Sequence, residues 1–157
     1  MNPQITRISE TLHESIFGEP WYGTSLFDLL EGVSADDAAA HPLPGRHSIW
    51  ELVLHITAWR KFVIEKLRGN EAFDLRYDTP EEWPAVGDTS AESWDEALGS
   101  LSDSQLQLEA ELAGFQEARL TEPVGGREYD LGYLLYGILQ HDVYHAGQVA
   151  LLKRVVG

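Results

Sequence analysis

The chain has 157 residues, about the size of one domain, and 43% of them are hydrophobic, with five Trp, six Tyr and five Phe to fill a core. Eleven Lys and Arg against 26 Asp and Glu leave a formal charge of −15, which repels a phosphate backbone or an anionic membrane surface and argues against both as partners. No cysteine is present, which excludes disulfides, thiolate metal sites and a cysteine nucleophile and leaves His, Asp or Glu to hold any metal.

In chain order, Ile5, Ile8, Leu12 and Ile16 recur at spacings of three and four, the period of one helix face. Gly18, Pro20 and Gly23 interrupt this first helix, and Ser25 to Leu30 reads as helical again. Ser34 to Arg46 carries Pro42, Pro44 and Gly45 and predicts a connection with at most one short helical turn. Ser48 and Glu51 have the spacing of a capping box, so a second long helix is expected from there to about Arg68, before Gly69-Asn70. Glu71 to Ser90 is acidic and contains Pro80, Pro84 and Gly87, which predicts a long crossover pinned to the body by Phe73 and Trp83. Trp94, Leu98, Leu101, Leu108 and Leu112 mark a third long helix ending near Gly114, and Pro123, Gly125 and Gly126 form the turn region before a fourth. No run of about 18 apolar residues occurs. The segment Met1 to Arg7 lacks a signal-peptide apolar region, so the expectation is a cytoplasmic chain folded as one domain over residues 1–157.

The chemistry concentrates on the fourth helix. Leu134, Ile138, His141, His145, Gln148 and Leu152 advance by threes and fours and share one face that should point inward. His141 and His145 are one turn apart, close enough for two imidazoles to chelate one ion. Taken alone, such a pair is more often two buried or capping histidines satisfied by hydrogen bonds. His55 changes that balance. It lies between Leu52 and Trp59 on the inward face of the second helix, where an unpaired imidazole carries a desolvation cost. If the second and fourth helices are antiparallel, His55 and His145 fall ~10–12 Å from the same end of the bundle, at ~1.5 Å per residue. Three neutral imidazoles with a position left open is the pattern of a catalytic metal site rather than a closed structural one.

Pro20 to Gly23 (PWYG), His47 to His55 (HSIWELVLH) and His141 to Gln148 (HDVYHAGQ), in that order, resemble the DinB/YfiT-like metalloenzyme family over nearly the whole chain. The resemblance implies an all-α, four-helix bundle with up-down-down-up topology, a long crossover between the second and third long helices, and assembly as a homodimer. It also implies that His55, His141 and His145 bind a divalent ion such as zinc or nickel, with iron or manganese as further options. Relatives suggested by the resemblance are transferases and isomerases that use a low-molecular-weight thiol, or metal-dependent hydrolases. A bound metal lowers the pKa of a water or a thiol, and either supplies a nucleophile near neutral pH. The expectation is therefore a thiol-dependent transferase or a hydrolase of small molecules. The alternative is a non-catalytic, metal-stabilised or metal-sensing bundle that acts through a partner.

Other residues need weighing. Gln148 is placed either to bond a metal-held water or substrate, or to tie helices together. Asp142 and Tyr144 face away from the His141–His145 line, which assigns Asp142 to a surface or interhelix salt bridge rather than to an imidazole. Trp21, Tyr22, Trp50 and Trp59 read as core before pocket. His47 reads as an exposed loop histidine before an acid or base at the site's mouth. His13 and His41 carry no functional reading. The pair of Glu-x-x-His motifs of a di-iron bundle is not present, so the surplus carboxylates read as a solvated surface.

Overall fold

A computed structural model describes residues 2–157, which form six α-helices and one 3-10 turn and no strand. Helix α1 spans Pro3–Phe17. The Asn2 side chain accepts from the Gln4 amide at 2.8 Å, and Pro3 occupies the first position, where its missing N–H is harmless. Ile5, Ile8, Leu12 and Ile16 are all buried, as their spacing predicts. Two five-residue helices follow, α2 (Leu26–Leu30) and α3 (Ala35–Ala39), each opened by a serine cap, Ser25 and Ser34. The second is the short helical turn expected between Ser34 and Arg46.

Helix α4 (Ile49–Leu67) starts on the complete capping box: Glu51 N donates to Ser48 Oγ at 3.1 Å and Ser48 N to the Glu51 carboxylate at 2.7 Å. It stops where Gly69 takes φ 78°, a left-handed conformation that suits glycine. Helix α5 (Ala91–Ala113) begins at Ser90 and ends at Gly114; a 3-10 turn (Glu117–Thr121) leads to α6 (Leu131–Val156), capped by Asp130. Between α4 and α5 the segment 71–90 holds no helix, as its Pro and Asp content predicts.

The long helices pack side by side, and residue pairs give their directions. Arg60 meets Ser104 and Arg68 meets Glu111, so α4 and α5 advance together. His13 meets Glu109 while Asn2 meets Glu117, so α1 runs against α5. Trp59 neighbours His141 while His55 neighbours His145, so α6 runs against α4. The buried apolar residues form two clusters. One joins Ile5 and Leu12 of α1 to Phe62, Leu108 and Leu135; the other joins Ile16 and Leu26 to Val53, Leu101 and Val149. Each buried Leu, Ile or Phe contributes ~1.5–3 kcal/mol. Helix α4 runs through both clusters, which is why its outer positions also carry apolar side chains and why His55 and Arg60 sit at near-zero exposure in its middle. No helix among the described residues is long and apolar enough to cross a membrane.

Candidate metal centre

Because α4 and α6 run in opposite directions, His55, about two turns into α4, comes level with the middle of α6. The Nε2 atoms of His55 and His141 lie 3.0 Å apart. The His145 ring centroid is 4.7 Å from that of His55 and 4.4 Å from that of His141. One nitrogen from each ring fits within a spread of 4.8 Å. Metal–nitrogen bonds of ~2.1 Å at tetrahedral angles separate two donors by about 3.4 Å. Small side-chain rotations bring the three onto one ion.

The bonds behind the rings decide which nitrogens face inward. His55 Nδ1 lies 2.9 Å from the Glu82 main-chain carbonyl, and His145 Nδ1 lies 2.6 Å from Gln148 Oε1. Both oxygens only accept, so both Nδ1 atoms carry the hydrogen and both Nε2 atoms keep a lone pair for a cation. His141 Nδ1 and Asp142 Oδ1, 3.8 Å apart, are buried without partners. Burial drives the imidazolium of His55 down to about 3 and that of His145 down to about 4; the neighbouring imidazoles push the same way, and the bonds to Glu82 and Gln148 oppose them. At neutral pH both rings are uncharged, the form that binds a metal. The three-imidazole donor set, and the tautomers and charge state of His55 and His145, fit a divalent ion.

The crossover completes the surroundings. The buried Glu82 carboxylate accepts from Trp59 Nε1 at 3.2 Å and from the Asp78 amide at 2.7 Å, which fixes the carbonyl that holds His55. Trp83 lies flat between two imidazoles, 3.7 Å from the His55 centroid and 3.6 Å from that of His47. On the other side the cluster opens into a cavity of about 360 Å³, bounded by Trp59, Tyr77, Tyr129, Tyr133 and Tyr144.

Beneath His141, Arg60 is fully buried and donates to Ser104 Oγ at 3.0 Å, to Gln105 Oε1 and to the Asp142 carboxylate. Asp142 is therefore an interhelix salt-bridge partner, and a buried one, so its surface option falls away: Arg60 of α4 covers that side of α6. Gln148 bonds the histidine one turn back on its own helix, a role neither expectation contained. Tyr144 is largely exposed yet packs its ring 5.0 Å from His145 and borders the cavity. Trp50 is core and Trp59 lines the cavity, whereas Trp21 is fully exposed and serves neither. His47 is half-exposed at the edge of the site, stacked on Trp83. His13 and His41 pair with Glu109 and Glu51 away from it.

Sequence reasoning missed Glu82 and Arg60. The Glu82 contribution to His55 is a main-chain carbonyl, which every residue has. Arg60 left a readable mark: a cation in line with Val53, Ile56 and Leu67 on an apolar face needs a buried acid, and Asp142 is the acid on the facing helix.

A bundle of helices in which three imidazoles converge beside an aromatic cavity fits the class of metal-binding helical proteins. The family model described as DinB superfamily matches residues 23–149, and the chain belongs to that superfamily. No curated protein matches the chain.

Proposed function

We propose that the protein is a metal-dependent enzyme acting on small molecules, with one divalent ion held by His55, His141 and His145. In this reading the whole of residues 1–157 is one domain whose four long helices follow an up-down-down-up course, and two copies form a homodimer in the cytoplasm. One observation carries it: three imidazoles, those of His55 and His145 kept uncharged by burial, converge on the wall of a cavity open to substrate. A divalent ion at that point supplies Lewis acidity, which makes a water or a low-molecular-weight thiol nucleophilic near neutral pH. The reaction class is thiol-dependent transfer or hydrolysis, with zinc or nickel as the preferred ion and iron or manganese behind them.

The chain's own residues do the positioning. Glu82 and Gln148 hold His55 and His145 in the tautomer that binds, Trp83 closes one side of the cluster against water, and the aromatic walls seat the substrate. The test is metal analysis of protein purified without a histidine tag, alongside His55→Ala and His145→Ala, followed by thiol-consumption assays with electrophiles. Near-stoichiometric metal in the wild type and its loss in both variants supports the site; no metal after reconstitution overturns it.

The flat seating of Trp83 over His55 favours a second reading, a non-catalytic metal-stabilised or metal-sensing bundle that works by binding a partner. It requires metal to raise the melting temperature or alter association while no turnover is found.

A further inference from the structure

The walls of the cavity say what kind of molecule enters it, a question the three imidazoles leave open. No Lys or Arg lines it, and its single formal charge, Glu82, already accepts two hydrogen bonds. Arg127, two residues before the wall residue Tyr129, turns one guanidinium nitrogen to Asp74 and to the Leu75 carbonyl and is not on the lining itself. The chain as a whole carries −15. An anionic group placed between these walls loses its water and gains no partner, a penalty that a neutral apolar group avoids. The aromatic content alone also suits a cage for an organic cation, but the broad indole of Trp83 has both faces covered, by His47 and His55, and shows the cavity only its edge. Trp59 leans on Tyr77, their centroids 5.4 Å apart, rather than facing it across a gap. The two faces of Trp83 are thus occupied, and the rest of the lining is mainly apolar and phenolic.

We infer that the cavity takes an uncharged, flat, apolar group of the substrate, such as an aromatic ring, and rejects molecules with an anionic group on that part. The inference builds on the metal-site reading by naming the substrate class, and its test runs on the metal-free protein so that the two fail separately.

Gly137 makes the test clean. It borders the cavity, and a Cβ added there meets nothing within 4 Å. Gly137→Leu therefore fills the cavity from the wall of α6 while leaving all three histidines in place. Gly137→Ala serves as the folding control, since alanine favours the helix over glycine. Binding of 2-naphthol and of 2-naphthalenesulfonate is followed by ligand-observed NMR and equilibrium dialysis. The expected result is that 2-naphthol binds wild type and Gly137→Ala, that Gly137→Leu weakens it at least about tenfold, and that the sulfonate binds wild type at least about tenfold more weakly. Metal per chain in Gly137→Leu, measured separately, stays at the wild-type value. Sulfonate binding as tight as naphthol, or naphthol binding unchanged by Gly137→Leu, overturns the inference. Naphthol binding as expected in a protein that takes up no metal supports the cavity assignment and overturns the metal reading alone.

Discussion

Two polar clusters sit about one turn apart along α4, and they are built on opposite plans. Around Arg60 each donor meets an acceptor: its guanidinium reaches Ser104, Gln105 and Asp142, tying three helices together with no exposure to solvent. Around His55 the outward nitrogens of His55 and His145 are tied down, while inward His55 Nε2 meets only another imidazole nitrogen, that of His141. A buried polar group whose partners match is architecture; buried lone pairs that converge on one another are repulsive unless a proton or a cation lies between them. His141 and Asp142, adjacent in sequence, belong one to each cluster, so the rigid network holds the helix that presents the open one.

Removing Arg60 should break that comparison most severely. Arg60→Met leaves the Asp142 charge buried without its partner and is expected to lower stability by ~3–5 kcal/mol in denaturant titrations, whereas Arg60→Met with Asp142→Leu recovers most of the loss. Recovery failing in the pair would show that the network does more than satisfy itself. His55→Ala acts on the other cluster. It is expected to abolish metal uptake, and with it any metal-induced rise in melting temperature, while the metal-free protein loses ~1–3 kcal/mol from the emptied, formerly bonded position. Retained metal would remove His55 from the site.

The pH response separates the clusters further. Because the folded-state values of His55 and His145 lie near 3 and 4, below the ordinary value near 6.5, the unfolded chain binds more protons between them. Stability of the metal-free protein is therefore full above the ordinary histidine range and falls as pH drops from there toward about 4. Thermal melts across that window should show the fall, and the double variant His55→Gln, His145→Gln should show it less; an equal slope would place the protons elsewhere. The smallest effect is at the start of α4. Ser48→Ala removes the cap and is expected to cost about 1 kcal/mol by chemical denaturation, with metal content unchanged.

Much of this was readable in advance because it is local. The helix start at Ser48 and the stop at Gly69 depend on residues within one turn, and the buried stripe of α1 is a matter of period. The pairing of His141 with His145 is equally local, since four residues on a helix fix two side chains on one face. The arrival of His55 beside them was legible as a distance along two helices, provided they were antiparallel, and the family motifs pointed the same way.

What sequence alone determined was therefore the helices, their inward faces and which residues were candidates to meet. Only tertiary structure decided that the crossover lies across the cluster, so that a Glu82 carbonyl sets the His55 tautomer and Trp83 slots between His55 and His47, and that Asp142 is buried against Arg60. The reason is physical. Periodicity and capping follow from backbone geometry within a few residues, whereas a loop's path and the partner of a buried charge depend on packing between segments 23 to 82 residues apart in the chain, which no local pattern encodes.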